Sequence, residues 1–143
     1  MPGRFVLTIP KLVKYKRNGT KKTYRMPPNA NARLHWRVKY KIDTWFKDQM
    51  RLLCMEAKLP KGVNRVRITF VNYSCGNAEM DRDNLYSSVK PIVDSLTARD
   101  RGGVTGWGLV QDDKEQFIDL LCTNRMVKHR PEERAELEIE IIE

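Results

Sequence analysis

Apolar residues alternate with polar ones, or run together, along four stretches of the chain, and each stretch predicts a β-strand. The clearest alternation is near the C-terminus, where Leu137, Ile139 and Ile141 are separated by two glutamates. Such a pattern gives a strand one buried and one half-exposed face. The four predicted strands cover residues 5–9, 66–73, 115–127 and 137–141.

Apolar residues recur every three or four positions in two other stretches, and this period predicts helices. The first helix is predicted over residues 33–58, with Gln49 as a polar intruder in its apolar stripe and Pro60 and Gly62 beyond its end. The second is predicted to follow the segment 80–85 and to end at about Leu96. His35 and Trp36 begin the first helix, and a structural role is expected for both.

The second predicted helix has two distinct sides. At about 100° per residue, Asp83, Lys90 and Asp94 share one face and turn outward together. Pro91 removes one backbone hydrogen bond from this helix and predicts a kink. The opposite, buried side is predicted to carry Leu85, Val89, Ile92, Val93 and Leu96.

These elements predict an α+β fold: a mixed sheet of about four strands with two main helices packed on it. The 143 residues are enough for a single domain, 1–143. Residues 11–32 are rich in turns, and Asn18-Gly19 predicts a hairpin turn. Residues 98–111 contain four glycines and no periodic pattern, which is typical of a functional or mobile loop.

Composition indicates a folded protein of the cytoplasm. Apolar residues make up 41% and charged residues 31%, and no run approaches the length of a membrane span. The first residues do not resemble a signal peptide, so export is not expected. Cys54, Cys75 and Cys122 are odd in number and form no C-x-x-C pair, which favours reduced, mostly buried thiols over a zinc site.

Charge is distributed unevenly along the chain. Residues 1–48 carry 13 Lys and Arg against two Asp, a net +11, whereas residues 49–143 carry 14 against 16, a net −2. A cationic field of this kind attracts a polyanion, so DNA or RNA is the expected partner; a merely soluble basic surface is the alternative. Tyr15 and Tyr24 stand among the predicted DNA-binding cations, or else simply pack on the body of the protein. These cations are Lys14, Lys16, Arg17, Lys21, Lys22 and Arg25.

Four aspartates in the acidic part suggest chemistry. If residues 81–83 are extended, Asp81 and Asp83 point to the same side, and Asp112 and Asp113 follow about thirty residues later. Carboxylates that converge repel one another unless a cation lies between them, and Mg²⁺ prefers oxygen ligands. The alternative makes Asp81 and Asp83 ordinary turn and helix-cap residues, with Asn84 as another possible cap.

The combination of motifs is more specific than its parts. Asp81-x-Asp83-Asn84-Leu85, then Lys90-x-x-x-Asp94-x-Leu96, a glycine-containing loop, and Asp112-Asp113 before an apolar strand resemble the RusA family of Holliday junction resolvases. A short first strand, Pro27-Pro28-Asn29-x-Asn31 and a long helix resemble it as well. The stretch from Asn84 to Lys90 is about one helical turn longer than in well-known members.

The resemblance implies a metal-dependent endodeoxyribonuclease that uses Mg²⁺, with Mn²⁺ as the alternative ion. It would act as a homodimer on four-way DNA junctions in recombination and repair, in a bacterium or phage, with no small-molecule cofactor. Asp81, Asp83 and Asp113 would be catalytic metal ligands, with Asp112 as a further candidate ligand. Lys90 would stabilise the transition state, and Arg82 would contact phosphate. Asp94 would either orient Lys90 or be an ordinary surface partner.

Three alternatives remain at the level of sequence. The chain could be a non-catalytic nucleic-acid-binding module of the same fold, or a nuclease acting on other branched DNA. A nucleotide-sugar transferase could use Asp81-x-Asp83 for its metal, but 143 residues leave little room for a donor domain. Such a substrate also gives no reason for the +11 charge of the first third.

Overall fold

The computed structural model describes residues 3–76, 80–98 and 106–142, in which four strands form one mixed sheet. The elements in chain order are β1 (Arg4–Thr8), β2 (Leu12–Tyr15), β3 (Lys21–Tyr24), α1 (Trp36–Glu56), β4 (Val66–Cys75), α2 (Arg82–Leu96), β5 (Ile118–Val127), a 3-10 turn (Arg130–Glu132) and β6 (Arg134–Ile141). The sheet order is β1-β6-β4-β5, with β4 and β5 parallel and the other pairs antiparallel. The predicted α+β fold is confirmed.

Only one face of the sheet supports the core. On that face Ile68 of β4 pairs with Ile139 of β6, and both are fully buried beneath the helices. The opposite face carries ion pairs. Two of them are formed by Arg67, whose guanidinium lies 3.2 Å from Asp119 and 3.7 Å from Glu140. The predicted alternation of β4 and β6 therefore sorts the two faces correctly. None of the described helices is long and apolar enough to cross a membrane.

Helix α2 is the connection between the parallel strands β4 and β5, which need such a crossover. Its predicted apolar stripe is buried in full, with Ser88, Pro91 and Ser95 buried beside it. The Tyr86 hydroxyl lies 3.4 Å from both the Leu120 carbonyl and the Cys122 N–H, which ties the helix to β5. This packing determines which side of α2 can contact a ligand.

The glycine-containing loop returns to the end of α2. Trp107 N–H donates to the Ser95 carbonyl, and Thr97 forms an isolated bridge with Val110. The predicted loop character of residues 98–111 can be followed only at 98 and 106–111, because residues 99–105 lie outside the described ranges. Trp107 also donates through its indole nitrogen to the Leu59 carbonyl, so this part of the loop is packed.

Gly106 is the tightest point of that loop. A Cβ at this position would overlap the Thr97 carbonyl and lie 3.0 Å from the Ser95 carbonyl. We expect Gly106→Ala to lower the free energy of unfolding by about 3 kcal/mol, since backbone must shift to accept the methyl group. Gly62→Ala is the control, because its φ of 72° is strained but open space surrounds it; about 1 kcal/mol is expected there. Equal losses in urea unfolding would contradict the close approach.

Candidate active site

One lysine on α2 contacts two aspartates that are distant in sequence from each other. Lys90 Nζ donates to Asp113 Oδ2 at 2.8 Å and to Asp94 Oδ1 at 3.2 Å. The contact with Asp94 follows from a spacing of four residues on a helix. The contact with Asp113 spans 23 residues and exists only because the segment before β5 folds back against α2. Three of the residues singled out in the sequence therefore meet.

The charges of this cluster support one another. Burial alone would lower the pKa of Lys90, but its hydrogen bond to Asp113 and the charge of Asp94 outweigh burial and raise it. The hydrogen bond from Lys90 is the main reason that the pKa of Asp113 is lowered, against a smaller opposing effect of burial. Lys90 thus stays protonated and Asp113 ionised across the neutral pH range.

The Lys90–Asp113 pair should leave a defined pH signature in stability. The lowered pKa of Asp113 gives stability that is present above about pH 4 and lost as the pH falls through the folded value. The raised pKa of Lys90 gives stability that is complete below about pH 10 and lost at higher pH. Half-exposed pairs contribute at most about 1 kcal/mol. Asp113→Asn should therefore melt slightly lower than the parent from pH 5 to 9, and the difference should shrink as the pH falls below about 4; a constant difference would contradict the pairing.

Asp81 and Asp83 begin α2 rather than end a strand. Asp81 is the N-cap residue and Asp83 lies in the first turn, so the predicted extended segment with both carboxylates on one side is wrong. Asn84 is not the cap either, since it lies inside the helix. An aspartate at the N-cap usually accepts a hydrogen bond from the next backbone N–H groups, yet the Asp81 side chain makes no capping bond. Its carboxylate is therefore available for another ligand.

Two of the four candidate aspartates lie at the start of α2, and the other two lie in the segment before β5. Asp83 and Lys90 are seven positions apart, which is about 10 Å along a helix axis. Asp113 lies with Lys90, while Asp81 and Asp83 lie at the helix N-terminus. Among the residues that the structure describes, no three Asp, Glu, His or Cys side chains form a group that could hold a metal ion. The three-aspartate centre implied by the resemblance therefore stays a prediction.

Asp112 mainly organises the backbone before β5. Its Oδ1 accepts the N–H of Asp113 at 2.8 Å, and its Oδ2 lies 4.0 Å from Lys114 Nζ. This local bond orients the peptide that carries Asp113. Asp112 is thus placed to position Asp113 against Lys90, while Asp113 makes the contact with α2.

The Pro-Pro-Asn-x-Asn motif docks onto the first half of α2. The Ala30 N–H donates to Ser87 Oγ at 2.8 Å, and Asn31 Nδ2 donates to Asn84 Oδ1 at 2.9 Å. Asn29 shapes the turn, because its Oδ1 accepts the N–H of Asn31. The N-terminal third is therefore attached to the first two turns of α2, at Asn84 and Ser87.

The predicted hairpin is β2 paired with β3, and the Asn18-Gly19 turn is confirmed, with Gly19 at a φ of 83°. Both strands are exposed along nearly their whole length. The two tyrosines differ: Tyr15 is 74% exposed, whereas Tyr24 packs against the core. The cations that remain exposed on this hairpin are Lys14, Lys16, Arg17, Lys21 and Lys22.

The other two DNA-binding candidates have protein neighbours. Arg25 is half-buried and forms an ion pair of 2.7 Å with Glu133, whose pKa is lowered first by the Cys75 N–H and then by Arg25. Arg25 therefore anchors the end of the hairpin to Glu133, and its contact with phosphate stays a prediction. Arg82 is exposed at the start of α2, close enough to oppose the burial that raises the pKa of the Cys122 thiol to about 12.

A pair of asparagines fixes the segment that leads into Asp81, and sequence reasoning missed it. Asn124 of β5 donates to the Met80 carbonyl at 2.9 Å, and its Oδ1 accepts from Asn72 Nδ2 at 3.0 Å. Asn72 is fully buried in β4, directly opposite Asn124. Asparagine is uncommon in strands, so two such residues in predicted strands were the available signal. The pair holds Met80 over the sheet and so places Asp81.

Two residues at the start of α1 were expected to be structural, and the structure distinguishes them. His35 has the structural role predicted for it, because its ring nitrogen accepts the N–H of Arg37 at the N-cap. Trp36 is 68% exposed and does not enter the core. One turn later Tyr40 is 62% exposed and lines a groove of about 330 Å³ between the helices. The groove also contains Lys90 and Asp94 of the α2 cluster.

Comparison with protein-family models finds none that matches this chain, and comparison with curated proteins finds no match either. The resemblance to the RusA family therefore stays a prediction from the sequence motifs.

Proposed function

We propose that the protein is a magnesium-dependent endodeoxyribonuclease that acts on branched DNA, with the four-way junction as its leading substrate. The observation that carries the proposal is the contact of Lys90 with Asp113, 23 residues away. The resemblance names these two residues as members of one active site, and nothing in their spacing requires them to meet. The exposed cations of the β2–β3 hairpin support a polyanionic substrate, and the segment that follows the hairpin docks onto α2 through Ala30.

Each residue has a distinct task in this proposal. Asp81 and Asp83 bind the metal at the start of α2, where oxygen ligands and open solvent suit Mg²⁺ with bound water. Lys90 offers its ammonium group to charge that develops on the phosphate. Asp113 and Asp94 keep Lys90 charged and in place. Asp113 remains a candidate third ligand, with Asp112 supporting its backbone.

A bound Mg²⁺ would polarise the phosphate and lower the pKa of a coordinated water. The remaining work belongs to the chain. Arg82 is exposed between Asp81 and Asp83 and would contact the phosphate next to the cleaved bond. The cationic hairpin holds a neighbouring arm of the DNA. Two copies of the chain related by a two-fold axis would make two symmetric nicks in a two-fold junction, so the proposal includes a homodimer.

The test uses the full chain with an end-labelled four-way junction and a linear duplex of the same sequence, in Mg²⁺, Mn²⁺ or EDTA. Paired incisions in the junction, dependent on metal and absent from the duplex, are expected. Salt-sensitive binding without incision in any metal would overturn the nuclease and favour the non-catalytic DNA-binding module. Equal cleavage of the junction and the duplex would show that the four-way junction is not the specific substrate.

The exposed hairpin cations should dominate the salt dependence of binding. Changing Lys16, Arg17 and Lys21 to Gln should reduce the slope of log K against log salt by up to about 2.7, since each phosphate contact contributes about 0.9. Junction affinity at low salt should fall at least tenfold. The matched control changes three exposed cations of the acidic part, Lys58, Lys128 and Arg130, and should alter the slope by less than one. Equal slopes for both triple variants would show that net charge alone matters.

A further inference from the structure

The start of α1 presents an aromatic surface that the proposed chemistry does not use. Trp36 and Tyr40 are 68% and 62% exposed, and residues four apart lie on the same helix face. The Arg37 guanidinium lies 5.2 Å from the centre of the indole. Large exposed rings beside cations are the combination that binds single-stranded nucleic acid, because every base has a face that can stack.

We propose that Trp36 and Tyr40 form a stacking surface for nucleobases that have left the base stack at a DNA branch point. The inference rests on the proposed function and specifies which feature of the substrate is recognised. Paired bases in a duplex expose only their edges, so a stacking ring finds an open base face only where stacking is interrupted, as at a junction centre. Recognition of that feature separates branched from linear DNA.

The position of Tyr40 links this surface to the candidate active site. Tyr40 lines the same groove as Lys90 and Asp94, between α1 and α2. A base stacked on Tyr40 would bring its own phosphate towards the side of α2 that carries Lys90. The stacking surface would thereby select the strand position that is cut as well as the type of DNA.

Charge around the rings favours DNA over a second copy of the chain as the occupant. Residues 33–41 include four Lys and Arg and no acid, and three of these cations are exposed. Two copies meeting through this face would bring like charges together, which opposes association. A strand of DNA instead supplies phosphates to the cations and bases to the rings.

The experiment places 2-aminopurine either at the centre of a four-way junction or within one arm, in EDTA so that no cutting occurs. The parent protein should change the fluorescence of the central probe and leave that of the arm probe unchanged. Trp36→Ala and Tyr40→Ala should each lose most of this change and bind the junction about five- to a hundredfold more weakly, with linear duplex affinity within twofold of the parent. Tyr40→Phe should retain both properties.

Met55→Ala is the matched control, since Met55 is 63% exposed at the other end of α1. It should behave like the parent, and all variants should melt near the parent temperature because the altered side chains are exposed. An unchanged central probe, or equal losses on junction and duplex, would overturn the inference. A dimer that dissociates on Tyr40→Ala would assign the face to self-association instead. Metal-dependent nicking is measured separately. If it is present while the stacking results fail, only the stacking inference is wrong and the proposed nuclease function stands.

Discussion

Asp83→Asn should abolish metal-dependent nicking and leave junction binding equal to or tighter than that of the parent. The substitution keeps the size of the side chain but removes the charge that attracts Mg²⁺ to the start of α2. Loss of several kcal/mol of metal-assisted stabilisation corresponds to about a thousandfold or more in rate. The substitution also removes a negative charge that would repel DNA phosphates, so affinity for the junction should not fall. Single-turnover cleavage and gel-shift titration in Ca²⁺ or EDTA measure the two effects separately.

The matched control for this change is Asp119→Asn, which removes a carboxylate paired with Arg67 on the open face of the sheet. It should cut at the parent rate. Asp81→Asn tests the other half of the pair and should resemble Asp83→Asn, because Asp81 makes no capping bond whose loss would unfold the helix. Cleavage by Asp83→Asn at the parent rate would remove the metal assignment, whatever the other variants do.

Local pattern was sufficient for most of the fold. The alternation of Arg67 with Ile68 and its neighbours specifies which face of β4 is buried, and the spacing in α2 places Leu85 and Val89 inside and Lys90 outside. Both signals depend only on the repeat of a strand or a helix. The sheet order, and the parallel pairing of β4 with β5, depend instead on contacts between segments about fifty residues apart.

The candidate site shows the same division. The Lys90–Asp94 pair follows from helical spacing, but the contact of Lys90 with Asp113 does not appear in any local pattern. The extended geometry assumed for Asp81 and Asp83 was wrong because the helix begins at Arg82, before the first residue of its apolar stripe. The exposure of Trp36 was missed because burial of a ring depends on what the rest of the chain leaves uncovered.

Lys90→Met should lower the cleavage rate by about a hundred- to a thousandfold without changing the Mg²⁺ concentration needed for half-maximal rate. Loss of one positioned charge from the developing phosphate is expected to cost this much. Lys90→Arg should recover part of the rate, since the charge is kept while the reach and shape of the donor change. The control Arg67→Met removes a cation that also contacts two acids, on the opposite face, and should leave cleavage unchanged.

Asp113→Asn distinguishes two roles for Asp113, which are to hold Lys90 in place or to bind the metal. If Asp113 acts by holding Lys90, its loss lowers the rate, and combining it with Lys90→Met adds little further, because both changes remove one interaction. If Asp113 is also a metal ligand, the half-maximal Mg²⁺ concentration rises severalfold, as expected for Asp83→Asn wherever residual activity permits the titration. The contact of 2.8 Å between Lys90 and Asp113 favours the first result. A parent-like rate for Asp113→Asn, in any metal, would separate the ion-pair cluster from catalysis and leave it as a support for the loop before β5.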